Sequence, residues 1–177
     1  MPDQIPDVTY FTNIAGFLGR NKPFSSINDK LFVLPQFPLT TYYEKNDENA
    51  YCAVDSQCDS DFGCECTTVL DVGSNVTVRL VISAVGEERN INHPMHIHGH
   101  SVHILSIGRG EYSLANGRLV SSTRDLTCTE DGDDTETLDN NRCPNPRFRS
   151  SNTTFPLDKY TVRKDTFIVP AGGYVVV

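Results

Sequence analysis

Residues 93–100 read His93-Pro94-Met95-His96-Ile97-His98-Gly99-His100 and hold four of the chain's five histidines, with the fifth, His103, three residues on. Neutral imidazole offers a nitrogen lone pair near physiological pH and is the commonest transition-metal ligand. Packing does not explain such a density; a metal site does. In an extended strand, side chains two apart project from the same face. On that period His96 and His98 project together, with Ile97 on the other side. His93, three residues before His96, points elsewhere, and Pro94 fixes the backbone between them. The run therefore divides into two destinations, one for His93 and one for His96 and His98. His100 shares the parity of the pair, but Gly99 lets the chain bend before it. Imidazoles without carboxylates suit copper or zinc better than magnesium or calcium.

Outward from this run the chain reads as strands. Beyond a turn at Asp71-Val72-Gly73-Ser74, residues Val76, Val78, Leu80 and Ile82 alternate with Thr77, Arg79, Val81 and Ser83, the pattern of a half-buried strand. A polar connection, Gly86 to Asn92, leads into the histidines. Ser101 to Ile107 continues as strand and ends at Gly108 and Gly110. Further strands are expected at Val8–Phe11, before a Gly-rich stretch, and at Lys30–Leu34, stopped by Pro35. Residues 35–50 read as loop. Thr166–Val169 is a strand, Pro170–Gly173 a turn, and Tyr174–Val177 the start of another strand. No window of convincing length carries helical spacing. Residues 111–160 form a long polar insertion with a short strand near Arg118-Leu119-Val120. Its acidic residues Asp131, Asp133, Asp134 and Glu136 lack the ligand spacing of a calcium loop and read as a solvated face.

A chain of 177 residues fits one domain, or part of a larger protein. Because Tyr174–Val177 breaks off inside a strand, a fragment is expected. No apolar run is long enough to cross a bilayer, and the first residues lack the features of a signal peptide. The net charge is −8 and the cations form no cluster, which argues against nucleic acid as a partner. Six cysteines lie in polar, loop-like stretches, an arrangement that fits disulfides in an oxidising compartment. Cys128 with Cys143 is the first pairing expected, since it closes one loop; Cys64 and Cys66 have metal binding as an alternative. Two glycosylation sequons begin at Asn75 and Asn152, the latter in the more polar surroundings, and agree with secretion.

The run His93–His100, followed by Ser101-Val102-His103-Ile104-Leu105, resembles the third-domain copper signature of multicopper oxidases, laccases in particular, including laccase-like oxidases of animals. The strand from Val76 to Ile82 resembles the segment that leads into the signature. Lys164-Asp165-Thr166-Phe167-Ile168-Val169-Pro170-Ala171-Gly172-Gly173-Tyr174 resembles the segment that follows it. The resemblance implies a cupredoxin-like Greek-key β-sandwich, incomplete at the C-terminus, with residues 1–177 forming part of the third cupredoxin domain of a larger chain. It implies that His93 binds type 1 copper and serves as the electron entry point, that His96 binds type 2 copper and that His98 binds a type 3 copper. His100 and His103 are not expected to be ligands.

The chemistry implied is one-electron oxidation of a small-molecule reductant, phenols or aromatic amines, coupled to four-electron reduction of O2 to water. The family's Cys ligand, in a His-Cys-His segment, would lie beyond Val177, and further ligands in other cupredoxin domains, so this length alone is expected to be inactive. Three alternatives stand beside this one. A ferroxidase-type metal oxidase would use acidic residues near His93, for which Glu87 and Glu88 are candidates. A non-catalytic cupredoxin module would keep the histidines but serve adhesion or structure. An unrelated zinc protein would not carry the two flanking segments.

Overall fold

The computed structural model describes residues 5–18, 23–42, 44, 50–53, 64–85, 90–128, 143, 145–150 and 153–177. Among them the strands are Val8–Leu18 (β1), Pro23–Ile27 (β2), Lys30–Leu31 (β3), Tyr51–Ala53 (β4), Cys64–Glu65 (β5), Thr67–Val69 (β6), Val78–Ser83 (β7), His93–His96 (β8) and Val102–His103 (β9). They continue with Ser106–Gly108 (β10), Glu111–Tyr112 (β11), Leu119–Ser121 (β12), Leu126–Thr127 (β13), Arg147–Phe148 (β14), Arg163–Lys164 (β15), Thr166–Val169 (β16) and Tyr174–Val176 (β17). One helical turn, Leu39–Tyr42 (α1), interrupts the stretch expected as loop. The class is all-β.

A seven-stranded sheet in the order β10-β17-β7-β1-β2-β3-β5 forms the main layer. Its central pair, β1 and β7, is parallel, with Val8 opposite Val78 and Asn13 opposite Ser83. Side chains alternate between the two faces of each strand. On one face Ile14, Ile82, Val175 and Val177 meet Phe167 and Val169 of β16, with Met95 and Ile97 packed against them. The short β8–β16 ladder is thus the second layer of a sandwich. On the other face Val81, Tyr174 and Val176 meet Leu126 and Cys143, bordered by Phe11, Phe148 and Phe155. The insertion after β10 supplies that second cover.

This double cover explains why β7 is more buried than its alternation predicts. Val81, Ile82 and Ser83 are all buried. Ser83 is tolerated because its hydroxyl lies 2.8 Å from Asn13 Oδ1, which also accepts from the Val85 amide at 3.0 Å. Asn13 Nδ2 donates to the Val85 carbonyl at 3.0 Å. Buried polar groups with such partners avoid the cost of an unmet hydrogen bond.

Several boundaries differ from those expected. β1 runs on through Gly16 to Leu18 rather than stopping near Phe11, because it finds β2 as an antiparallel partner, with Ile14 opposite Ile27. β2 has no counterpart in the sequence reading. It joins β3 through Asn28 and Asp29, whose φ angles of 47° and 62° are those of a two-residue hairpin turn. The strand expected at Lys30–Leu34 is only Lys30–Leu31. Ser101–Ile107 splits in two because its halves pair differently, β9 with β15 and β10 with β17.

Tyr174 fixes the close approach of β10 and β17. A Cβ on Gly108 would lie 2.0 Å from Tyr174 Cε1, and one on Gly173 would lie 2.3 Å from the Gly108 carbonyl oxygen. Disulfides join Cys52 to Cys66 and Cys128 to Cys143. Cys64 is disulfide-bonded as well. This overturns the alternative in which Cys64 and Cys66 bind metal, since a disulfide sulfur offers no thiolate. The acidic residues Asp131 to Glu136 and the sequon residue Asn152 lie outside the described residues.

Candidate metal centre

Strand β8 pairs antiparallel with β16, placing His93 opposite Val169, Pro94 opposite Ile168, Met95 opposite Phe167 and His96 opposite Thr166. Phe167 and Val169 are buried, whereas Ile168 is 58% exposed. Their partners follow the same alternation. His93 and Met95 are half-buried on the core side, and Pro94 and His96 are exposed on the other. His93 therefore stands on the opposite side of the strand from His96.

The strand ends at His96, so His98 is not held in position by strand parity. The Ile97 amide still donates to the Asp165 carbonyl at 3.0 Å, and His98 and Gly99 then form a turn, Gly99 at φ 76°. That left-handed backbone suits glycine because a Cβ would strain it. The turn nevertheless returns His98 to its neighbour. The His96 and His98 ring centroids lie 5.0 Å apart with their planes at 59°.

His96 is anchored from behind. Its Nδ1 lies 3.0 Å from the Asp165 carbonyl oxygen and 3.0 Å from Thr166 Oγ1. A carbonyl can only accept, so Nδ1 carries the proton and Nε2 keeps the lone pair a metal requires. Metal-ligating histidines commonly hold their second nitrogen in this way. Neither Asp165 nor Thr166 was identifiable as a partner of His96 from spacing, since 69 residues separate His96 from Asp165. The one signal in the sequence is the resemblance of Lys164–Tyr174 to the segment that follows the histidine run in multicopper oxidases.

These donors fit a nitrogen-liganded transition metal. Among the described residues no three His, Cys, Asp or Glu side chains gather into one cluster. The chain thus brings His96 and His98 together on one side and His93 to the other. His100 and His103 are exposed, His103 lying opposite Arg163 in the β9–β15 ladder. Glu87 and Glu88 lie outside the described residues. Asn75 is exposed in its turn, at φ 57°. Beside β16 a cleft of about 930 Å³ is walled by Ile104, Ile107 and Ile168, with Asn92, Arg109 and Lys164 at its polar positions. No helix among the described residues is long and apolar enough to cross a membrane.

The chain is an all-β sandwich that presents histidines on both sides of one strand, a donor type suited to a transition metal. Comparison with known families makes the assignment specific. The family model described as multicopper oxidase matches residues 32–177, and the chain belongs to that family. Copper is the metal the family implies, and its members are oxidoreductases. Among solved structures the chain is similar to Fet3p, described as a multicopper oxidase that functions in iron import, with 16% identity and a TM-score of 0.47. That match covers 97% of this chain and 26% of the other, so the chain spans about a quarter of the length of that relative. A search of curated proteins finds no match.

Proposed function

We propose that this chain forms part of the third cupredoxin domain of a secreted, laccase-type multicopper oxidase. The complete protein would oxidise phenols or aromatic amines one electron at a time and reduce O2 to water. The observation that carries this reading is the division of ligands across β8, with His93 on the core side and the His96–His98 pair on the exposed side. One imidazole would serve a type 1 copper and electron entry, while His96 would hold type 2 copper and His98 a type 3 copper. Copper, when bound, supplies the one-electron redox chemistry.

The chain's own residues do the positioning. The Asp165 carbonyl keeps the proton on His96 Nδ1 and leaves Nε2 to the metal. The His98–Gly99 turn brings the second imidazole alongside. The remaining ligands would come from other cupredoxin domains and from the His-Cys-His segment of the same full-length protein. Secretion is supported by the disulfides, which persist in oxidising compartments. Asn152, and with it Asn75, would carry glycans.

The test is made on the complete protein. Alanine at His93, His96 or His98 should each lower copper content and abolish oxidation of a diphenol. Unchanged copper content in all three variants would sink the assignment. Faster turnover of Fe²⁺ than of a diphenol by the unmodified protein would replace the laccase reading with the ferroxidase one. Full copper loading with neither activity would favour a non-catalytic module.

A further inference from the structure

We infer that Thr166 is a positioning residue for His96, its hydroxyl linking the imidazole to the Asp165 side chain and so aiming Nε2 away from the strand pair. The inference rests on the copper reading of His96. His96 and Thr166 are directly opposed in the β8–β16 ladder, where side chains on one face lie close enough to bond. Thr166 Oγ1 is 3.0 Å from His96 Nδ1 and 3.1 Å from Asp165 Oδ1. An ionised carboxylate only accepts, so the single hydroxyl hydrogen of Thr166 goes to Asp165. Its oxygen then turns a lone pair toward Nδ1. Two acceptors, Thr166 Oγ1 and the Asp165 carbonyl, converge on the same N–H.

The two acceptors differ in what they contribute. The Asp165 carbonyl also receives the Ile97 amide at 3.0 Å, so it ties the strand end as well as the ring. The Thr166 hydroxyl is the side-chain contact, and mutation can remove it without touching the backbone. Among the described residues no hydrogen bond holds the His98 ring, which leaves His96 as the anchored member of the pair. Loss of such outer partners lowers metal affinity by roughly 10- to 100-fold.

The test uses Thr166→Val, which keeps the β-branched shape and deletes the hydroxyl, and Thr166→Ser, which restores it. In full-length, metal-free protein labelled with ¹⁵N-histidine, the imidazole nitrogen shifts report which nitrogen of His96 carries the proton, His96→Ala identifying the signals. Unmodified protein and Thr166→Ser should show the Nδ1–H form. Thr166→Val, which keeps the Asp165 carbonyl as acceptor, should retain the Nδ1–H form with displaced imidazole nitrogen shifts and bind Cu²⁺ about tenfold more weakly in titration. A Thr166→Val protein with the original nitrogen shifts and the original Cu²⁺ affinity would overturn the inference. If His96→Ala leaves Cu²⁺ binding unchanged, the copper reading fails, and the nitrogen shifts alone still decide whether Thr166 positions the ring.

Discussion

Strand β17 buries Tyr174, Val175 and Val176 on both of its faces, whereas β8 leaves Pro94 and His96 exposed and its other two residues half-buried. The two strands serve one core and divide the labour. β17 sits inside the main sheet, between β10 and β7, with a hydrophobic cluster on each side. β8 belongs to a two-stranded ladder whose inner side caps that core and whose outer side is free for ligands. The difference teaches that the candidate site is built where a side chain contributes little to stability. Histidines can then be held there by hydrogen bonds and the backbone rather than by burial.

The comparison breaks most severely if β17 is disturbed. Gly108→Val would drive a side chain into the Tyr174 ring, and the protein should lose about 4 kcal/mol of stability or fail to fold. Urea unfolding or yield of soluble protein measures this. Next is the staple that holds the outer cover over β7 and β17. Replacing Cys128 and Cys143 with serine opens a loop with a sequence separation of 15 and should cost about 3 kcal/mol. A denaturation midpoint unmoved by the double substitution would show that the cover is held by packing alone.

A third effect concerns pH. Burial, reinforced by the hydrogen bond to Asp125 at 2.8 Å, pushes the Tyr174 phenol up to about 12 from 10.0. The folded state therefore keeps this proton after the unfolded chain has lost it. Stability from this source is complete below pH 10.0 and is lost as pH rises through about 12. Asp125→Asn should shift the onset of alkaline unfolding, read by tyrosinate absorbance together with circular dichroism. The smallest change in stability belongs to β8. His96→Ala should alter unfolding by no more than about 0.5 kcal/mol, as exposed substitutions generally do, while lowering copper content. Equal losses of fold and copper would show that the two strands are not divided in this way.

How much of this was legible follows from where the information lies. The alternation in Val78–Ser83 gave β7, and the runs Thr166–Val169 and Tyr174–Val177 gave β16 and β17, because period-2 patterning is local. β2 is not legible in the sequence because Pro23-Phe24-Ser25-Ser26-Ile27 has no clear alternation; pairing with β1 makes it a strand. The burial of Ser83 was equally hidden, since its partner Asn13 lies 70 residues away. The Cys128–Cys143 closure could be anticipated from composition, but not that the loop it closes would cover the outer face of β7.

The histidine run shows the same boundary at closer range. The sequence by itself determined that His93 and His96 lie on opposite sides, since covalent geometry makes strand side chains alternate and Pro94 holds the chain extended between them. It also determined that the donors offered there would be imidazole nitrogens. Only the tertiary structure decided that His98, past the end of the strand, returns to within 5.0 Å of His96, and which nitrogen of His96 faces outward. The first depends on the left-handed turn at Gly99, the second on a carbonyl and a hydroxyl brought across by β16. Local stereochemistry is written in neighbouring residues, whereas hydrogen bonds to distant strands exist only once the sheet has formed.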